Sequence, residues 1–495
     1  MRPRVILRLL GFLTISISLN MVFSIFWALF YSEGVWREFV ISIGISLALG
    51  AVLILVGISQ KKMNLTRKEA LSIVGFGWIL AGIVGALPFF LSGAIPNFYD
   101  AFFETISGFT TTGASILGDI ESLPKGLLFW RSYTHWLGGM GIIVLFVAIF
   151  PYLGVSGKRM YQFEVPGPDA GGITPKIQSS AFMLWKIYFW ISIAEMVALK
   201  IAGMTLFDAM CHTFGTMATG GFSTKNASIG HYNNSTIYII IIVFMILAGT
   251  NFSLYFLLLK KKFFQFFSDS EWRVYLTVIL ISIVFVAFIL NKTQTGGTFP
   301  TSGGVGDEGK TYDTWVASAF NVVSIMTTTG FGTHDTDMWP IATKVLLLVL
   351  MFVGGCGGST GGGIKVVRYL ILIKYAIKHS ITSYSPQRKV IIKLSGKMVG
   401  DDMIHRVLSF FFIYIMIFVI GILFMSSFGY DLTVTISSVA ATLNNIGPGF
   451  SLIGATGNYG FMHPVAKVFL SILMVVGRLE LFAIVVFFIP DFWRK

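Results

Sequence analysis

Charged side chains are scarce in this sequence. Only 12% of its 495 residues are Asp, Glu, Lys or Arg, whereas 55% are hydrophobic. An average soluble domain carries about 25% charged residues, so a soluble chain of this length could not cover its surface with so few. The composition therefore excludes a soluble multidomain protein, and it predicts an all-α polytopic membrane protein embedded in a lipid bilayer.

Cysteine is nearly absent as well. Cys211 and Cys356 both lie in apolar stretches, which excludes a disulfide framework. A removable signal peptide is not expected, because the first apolar stretch, from about 5 to 30, is too long and lacks a small-residue cleavage site. The net charge of +13 could suggest a nucleic-acid partner. We expect none, because the basic residues cluster at the ends of apolar segments, where they set membrane topology.

Short polar loops that end in glycine recur four times between apolar segments. They occupy 110–113, 218–221, 327–332 and 444–449. A regular period of this kind indicates an internal repeat. Spacings of 107, 110 and 117 residues separate the glycines that we take as equivalent, which are Gly113, Gly220, Gly330 and Gly447.

Each repeat is predicted to contain a first spanning helix, a short half-helix, the glycine loop and a second spanning helix. An N-terminal hairpin at 1–65 precedes the repeats as an accessory unit. Two spans in the hairpin and two in each repeat give ten transmembrane helices, and basic residues at both chain ends place both termini in the cytoplasm. The repeats are 66–170, 171–268, 269–398 and 399–495, with first helices near 69–94, 180–202, 272–291 and 404–428 and second helices near 125–150, 235–260, 340–378 and 463–489.

The half-helices are too short to cross a bilayer, which takes about 20 residues. We predict that they are re-entrant, that the four loops meet on one axis, and that each half-helix directs the negative end of its dipole at its loop. Each segment opens with an aspartate, a residue type that favours the N-cap. The half-helices are predicted near 100–110, 207–217, 313–326 and 431–443, with the N-caps Asp100, Asp208, Asp313 and Asp431.

The loops offer hydroxyl groups and main-chain carbonyls, with no carboxylate or thiolate. Rings of neutral carbonyls can replace the hydration shell of a weakly hydrated monovalent cation. A calcium or zinc site would need acidic, histidine or cysteine ligands, and His212 and His334 near two loops are weak evidence for one. The residue types predict an ion-selective pore that needs no organic cofactor.

The segment 354–363 contains seven glycines in ten positions. Each interior glycine costs a helix about 1 kcal/mol relative to alanine, so the second helix of repeat 3 should break inside the membrane, below the loops. A phosphate-binding loop is the alternative, but no Gly-Lys-Ser/Thr follows and no strand precedes it. We predict a mobile gate formed by Gly354, Gly355, Gly357, Gly358, Gly361, Gly362 and Gly363.

Arg478 lies at the same depth in the second helix of repeat 4. An arginine there costs at least about 2.5–3.5 kcal/mol on insertion scales, so a functional role is its default interpretation. We predict that it faces the pore and acts as an electrostatic barrier to cations. The alternative is a structural pair with Glu480, although residues two apart lie on different helix faces. Gly138 and Gly249 lie at a similar depth, where simple packing glycines are favoured.

These motifs together resemble the TrkH/KtrB superfamily of potassium transporters over residues 69–495. The four loops, the run Gly-Gly-Ser-Thr-Gly-Gly-Gly-Ile-Lys ending at Lys365, and the Val-Gly-Arg at Arg478 carry the resemblance, and the N-terminal hairpin is typical of its TrkH-type bacterial members. The resemblance adds Lys365 to the gate. It implies a K+ filter formed by Thr111, Thr112, Gly113, Ala218, Thr219, Gly220, Thr328, Thr329, Gly330, Asn445, Ile446 and Gly447.

The resemblance further implies a pseudo-fourfold pore, a homodimer in the bacterial cytoplasmic membrane, and a cytosolic TrkA-like ring that binds NAD- or ATP-type nucleotides and drives gating. Relatives that favour sodium carry serine in place of Gly113, so potassium is expected here and Gly113→Ser should weaken the preference. The sequence leaves passive conduction and coupling to protons or sodium both open. A secondary transporter usually repeats twice with inversion, and an intramembrane enzyme would need a nucleophile–base pair that the sequence lacks.

Overall fold

The computed structural model describes residues 1–58, 65–141, 177–293 and 314–494, and the chain is helical through most of these ranges. The strands within them form one short antiparallel hairpin, in which Lys393–Leu394 pairs with Lys397–Met398. The helices are Pro3–Asn20, Val22–Phe30, Trp36–Val56, Arg67–Leu91, Phe98–Phe109, Lys125–Gly139, Ile177–Ile201, Leu206–Met217, Ser235–Ala248, Phe252–Leu259, Phe263–Phe267, Ser270–Thr293, Thr314–Met326, Ile341–Phe352, Val366–Tyr384, Asp401–Ser426, Leu432–Leu443, Pro464–Arg478, Phe482–Val485 and Pro490–Trp493.

Six helical stretches in the described ranges are long and apolar enough to cross a membrane. They are the two arms of the N-terminal hairpin and the first helix of each repeat. A seventh span is present if Ser235–Ala248 and Phe252–Leu259, which meet at an angle of 94°, count as one. The fold is that of a mostly helical membrane protein. The six stretches are Pro3–Phe30, Trp36–Val56, Arg67–Leu91, Ala181–Ile201, Ser270–Lys292 and Asp401–Ser426.

The N-terminal hairpin is fixed to repeat 1 at both of its ends. Arg2 forms an ion pair with Glu69, at 2.8 Å, beside the start of the first helix of repeat 1. At the turn of the hairpin, the Glu33 carboxylate accepts hydrogen bonds from the backbone N–H groups of Lys125 (2.6 Å) and Gly126 (3.0 Å). A carboxylate at a helix N-terminus satisfies otherwise unpaired donors and complements the dipole. The hairpin therefore supports the second helix of repeat 1.

The four half-helices lie at the centre of the molecule. Every residue from 103 to 109 in half-helix 1 is buried, whereas in the first helix of repeat 4 only 22% of the apolar window is buried. This contrast is expected if the first helices face lipid and the half-helices face one another. The half-helices, numbered 1 to 4 by repeat, are Phe98–Phe109, Leu206–Met217, Thr314–Met326 and Leu432–Leu443.

Two of the predicted N-caps are wrong by three residues. In half-helix 1 the N-cap is Asn97, and Asp100 lies in the first turn, where it accepts a hydrogen bond from Lys467 at 2.6 Å. In half-helix 2 the N-cap is Thr205, whose hydroxyl oxygen accepts from the backbone N–H of Asp208. An acid in the first turn complements the helix dipole as well as a cap does, so residue type alone does not separate the two positions.

The fourth N-cap is Asp431, whose side chain accepts from the Thr433 N–H at 3.0 Å. Asp313 lies outside the described residues.

Within the described residues, the second helices of repeats 2, 3 and 4 are interrupted and that of repeat 1 ends earlier than expected, whereas the sequence predicted a break only in repeat 3. Repeat 1 leaves helix after Gly139, and its predicted continuation from 142 to 150 lies outside the described residues. Repeat 2 bends sharply after Ala248, and repeat 4 ends its helix at Arg478, followed by two left-handed residues, Glu480 and Leu481. The interruption in repeat 3, between Phe352 and Val366, is longer than those described in repeats 2 and 4.

Candidate ion filter and the helix breaks beneath it

The four half-helices end in the same way. One residue after each helix cap adopts a left-handed conformation, and the N–H of the next residue bonds to the carbonyl five residues earlier, as in a Schellman motif. In half-helix 1, for example, the N–H of Thr112 bonds to Ser107 O at 2.9 Å. The left-handed residues have φ between 54° and 59° and are Thr111, Thr219, Thr328 and Asn445.

This geometry corrects the register of the second loop. Two residues after each left-handed residue comes a glycine with φ between 78° and 96°. In loop 2 that glycine is Gly221, so the equivalent triplet is Thr219-Gly220-Gly221, and the predicted triplet that began at Ala218 is wrong by one residue. Ala218 is the helix cap. Two adjacent glycines fit the spacing equally well, and only the backbone conformation separates them. The glycines in register are Gly113, Gly221, Gly330 and Gly447.

The same glycines bring the four loops into a closed ring. A Cβ atom on Gly113 would lie 2.0 Å from the carbonyl oxygen of Gly220, and one on Gly221 would lie 2.0 Å from that of Thr329. The ring continues from Gly330 to Ile446 O, at 1.9 Å, and closes from Gly447 to Thr112 O, at 2.5 Å. No side chain fits at these positions. Each loop therefore touches the next in the order 1, 2, 3, 4 and back to 1.

The ring opens into one cavity, and its oxygen atoms are neutral. All four glycines line the cavity, together with Pro448 and residues that follow loops 1, 2 and 4. Hydroxyl pairs brace loops 1 and 3 from within, with Thr110 to Thr112 and Thr327 to Thr329 both at 2.8 Å. Among the described residues, no group of three or more His, Cys, Asp or Glu side chains could hold a metal ion. The chemistry available to an ion at the ring is that of carbonyls and hydroxyls.

Loop 4 differs in sequence but takes the same place in the ring. The Asn445 side-chain amide donates to the Thr112 hydroxyl and to Met474 O, both at 2.9 Å, and so joins repeat 4 to repeat 1. The Tyr459 hydroxyl donates to Gly447 O at 2.8 Å. The Asn-Ile-Gly-Pro-Gly sequence therefore keeps the fold of the other three loops, and the amide at its left-handed position bonds to repeat 1 and to its own second helix.

Beyond the ring, the segments that follow the loops are tied to one another. Asn226 of repeat 2 accepts from Ile120 N (2.6 Å) and donates to Asp119 (2.8 Å), both in repeat 1. This hydrogen bond from Asn226 lowers the pKa of the exposed Asp119 carboxyl, so it is ionised at neutral pH. Main-chain bonds join repeat 2 to repeat 3 and repeat 4 to repeat 1, and Asp337 accepts from Ser451 N at 2.8 Å between repeats 3 and 4. The segments that follow the loops therefore form a continuous hydrogen-bonded layer above the ring.

The glycine-rich segment of repeat 3 lies directly under loops 3 and 4. The N–H of Gly362 donates to the Thr328 hydroxyl at 2.7 Å, and a Cβ on Gly362 would lie 2.4 Å from Asn444 O. A bond from Gly354 N to Ile364 O, at 3.0 Å, closes the base of the segment. The predicted gate residues Gly354, Gly355, Gly357, Gly358, Gly361, Gly362 and Gly363 all lie in this interruption between the two helices.

Two buried cations contact carbonyl oxygens of the glycine-rich segment. The Lys365 ammonium donates to the carbonyl oxygen of Gly361. Arg478 donates to Thr360 O at 2.7 Å, and also to Gly138 O (2.6 Å) and Gly139 O (2.7 Å) at the end of the second helix of repeat 1. Arg478 therefore connects the interruption in repeat 3 to the helix break in repeat 1. The alternative pairing with Glu480 does not occur, because Glu480 forms its ion pair with Arg368.

Glu271 was missed by sequence reasoning. One of its carboxylate oxygens accepts from Gly357 N (2.7 Å) and from Val367 N (3.0 Å), on either side of the centre of the glycine-rich segment. Its partners are main-chain groups, which residue types do not reveal. Its neighbours Asp269 and Ser270 bond to Ser395 in the strand hairpin, at 2.9 and 3.0 Å. Glu271 therefore lies between that hairpin and the segment.

Comparisons with known proteins agree with this architecture. The TrkH family profile, described as a cation transport protein, matches residues 37–495. The chain is 40% identical to the Trk system potassium uptake protein TrkH of Salmonella typhimurium and 39% identical to that of Escherichia coli K12, over 100% of each chain. It is similar to the crystal structure of the potassium transporter TrkH from Vibrio parahaemolyticus, with a TM-score of 0.86 and 36% identity over 100% of both chains. The family profile, the full-length relatives and the matching structure show that the chain belongs to the TrkH family of cation transport proteins.

Proposed function

We propose that this protein takes up potassium across the bacterial cytoplasmic membrane through a K+-selective, channel-like pore. The closed ring of four loops is the observation that carries the proposal, because four neutral loops that contact one another in a ring can direct carbonyls from all four repeats at one ion. Such rings replace the hydration shell of a potassium ion. The relatives named above are potassium uptake proteins, which supports potassium as the substrate.

The proposed topology has ten transmembrane helices, four re-entrant half-helices and both termini in the cytoplasm. The short length and deep burial of the half-helices support re-entrant segments, since irregular backbone at membrane depth is tolerated where it is buried in protein or lines a cavity. The loops then form the narrow part of the pore, and the cavity above them opens to the outside. Lipid surrounds the first helices, whose outer faces are apolar and exposed.

The glycine-rich segment is the proposed gate, and Arg478 is proposed to hold it closed. The segment lies under the loops, and the arginine joins it to repeat 1 through three carbonyl oxygens. Opening the pore would require the segment to move away from these bonds. A guanidinium group at this place would also oppose the passage of cations, which accounts for an arginine at this depth.

Control by a cytosolic TrkA-like, nucleotide-binding ring and assembly as a homodimer complete the proposal. The relatives are parts of a Trk system, which supports a regulatory partner. The strand hairpin at 393–398 and the lysines around it are a basic surface on the cytoplasmic side of the proposed topology. Movement of this hairpin would reach the gate through Asp269, Ser270 and Glu271.

Flux measurements on the purified protein in liposomes test the proposal. We expect inward potassium flux to exceed sodium flux, and a pH gradient to leave the potassium flux unchanged if the pore conducts passively. Flux that follows the pH gradient would instead indicate symport with protons. Equal potassium and sodium fluxes would contradict the assignment of the four loops as a potassium filter.

A further inference from the structure

One ion pair in repeat 1 is buried directly behind the ring. Glu104 of half-helix 1 and Arg131 of the second helix are 1% and 2% exposed, and their side chains meet at 2.7 Å. Removing two charges from water is costly, and a buried pair often contributes less to stability than apolar residues of similar size would. A pair retained at this place therefore needs an explanation other than stability.

The pair holds the segments that directly follow loops 1 and 2. The Glu104 carboxylate accepts from the Ser115 hydroxyl and from Ile116 N, both at 2.9 Å. Arg131 donates to Ser223 O at 2.9 Å, and its guanidinium group stacks 3.5 Å from the ring centre of Phe222. Ser115 and Ser223 each lie two residues after the ring glycine of their own loop. A single ion pair thus joins adjacent quarters of the ring from behind.

Repeats 2 and 3 have a bond at the same place, but it is neutral. The residue nine positions before the ring glycine is Glu104 in repeat 1, His212 in repeat 2 and Asn321 in repeat 3. His212 bonds to the Ser223 hydroxyl at 2.9 Å, and Asn321 bonds to the Thr333 hydroxyl at 3.2 Å. In repeat 4 that residue is Ser438, whose hydroxyl donates to Thr435 O at 3.0 Å within its own helix, and it is the neighbouring Ser437 hydroxyl that accepts from Phe450 N at 3.1 Å.

The position of Arg131 distinguishes repeat 1 further. It lies seven residues before Gly138, and the equivalent positions in the other second helices carry apolar residues, Ile242, Leu347 and Leu470. Of the four hydrogen bonds that link a half-helix to the segment after its loop, only that of repeat 1 is made by a carboxylate with a cationic partner. Charge-assisted hydrogen bonds are roughly twice as strong as neutral ones, so repeat 1 should be held more firmly at this point than the other repeats.

We propose that Glu104 and Arg131 are positioning residues that set the discrimination between potassium and sodium, an inference that rests on the proposed function. Sodium is the smaller ion, so a ring of carbonyls accepts it only if its oxygens can move closer together. The buried pair fixes the separation of loops 1 and 2 and resists this movement. Removing the charge of Glu104 breaks the pair and should let the ring contract around sodium.

The test compares Glu104→Gln with Glu69→Gln in liposomes, using potassium and sodium alone as probes. Glu69 is a matched control, because it is a buried carboxylate of the same repeat, paired with Arg2 away from the ring. We expect the ratio of potassium to sodium flux to fall roughly tenfold in Glu104→Gln, the effect of losing about one charge-assisted bond. The ratio in Glu69→Gln should equal that of the parent.

A purely structural role predicts a different result. Both fluxes would then fall together with the amount of folded protein, and their ratio would stay constant. A folded Glu104→Gln protein with the parental ratio overturns the inference. If that variant does not fold, Ser115→Ala decides, because it removes only one hydroxyl: an unchanged ratio overturns the inference and a lowered one supports it. A parent that transports both ions equally would overturn the proposed potassium selectivity itself.

Discussion

The loops and the helix breaks beneath them lie at two levels of the same four repeats, and they differ in symmetry. At the loops, the four left-handed residues agree within 5° in φ, and each glycine meets the carbonyl of the next repeat. At the breaks, repeat 2 has a sharp bend, repeat 3 a long glycine-rich segment and repeat 4 an arginine. Coordinating one ion from all sides requires equal contributions. In the proposed function, closing the ion path requires only one mobile segment. The four repeats could therefore differ from one another at the level of the helix breaks.

The largest effect on potassium flux is expected from adding a side chain at one of the four ring glycines. In Gly330→Ala, the new Cβ would lie 1.9 Å from Ile446 O, at a φ that alanine also disfavours by about 1–2 kcal/mol. We expect potassium flux to be abolished in liposomes. Gly93→Ala is the matched control: it has a similar φ of 71° but nothing within 4 Å of the new Cβ. It should lose a little stability and keep its flux. Parental flux in Gly330→Ala would show that the ring need not close.

The next largest effect is expected at Arg478, which is proposed to hold the gate closed. Arg478→Ala removes three bonds to carbonyl oxygens, and each hydrogen bond to a charged group contributes about 1.5–3 kcal/mol. We expect the flux through the protein alone, without any cytosolic partner, to rise at least tenfold. Arg478→Lys keeps the charge but not the planar fork, so its flux should lie between the two. If the alanine variant has the parental flux, Arg478 does not hold the gate closed.

A smaller effect is expected at Glu271, and the two substitutions there should differ. Glu271→Ala removes the acceptor of the Gly357 and Val367 N–H groups, so the segment should open more often and the flux should rise about threefold to tenfold. Glu271→Gln retains one acceptor oxygen, which is all that these two bonds use, and its flux should stay within about twofold of the parent. Equal fluxes in the two variants would show that Glu271 does not act through its hydrogen bonds to the backbone of the segment.

The smallest effect is expected outside the ring. Asn226→Ala removes exposed bonds between repeats 1 and 2, which water can replace, so each contributes about 0.5–1.5 kcal/mol at most. The flux should fall less than twofold, and the ratio of potassium to sodium should not change. A changed ratio would extend the selective region beyond the ring to the segments that follow it.

Composition was enough to predict a mostly helical membrane protein, and the loop spacing and glycine content located the four short helices and the break between Phe352 and Val366. Gly221 was missed because two adjacent glycines fit the same spacing, and a positive φ has no mark in the sequence. The breaks in repeats 1, 2 and 4 were missed because a single glycine is compatible with an intact helix. The contacts of Glu271 and Arg478 are made with main-chain atoms, which residue types do not identify.

The contact that closes the ring, between Gly447 and Thr112 O, is made by the last and the first repeat of one continuous chain. In a pore built from four identical subunits, every mutation changes all four quarters at once. Here a mutation changes one quarter and leaves three intact, so evolution could adjust the pore in small steps. This difference explains how an Asn-Ile-Gly quarter persists beside two Thr-Thr-Gly quarters. It also allows each quarter's share of selectivity to be measured separately.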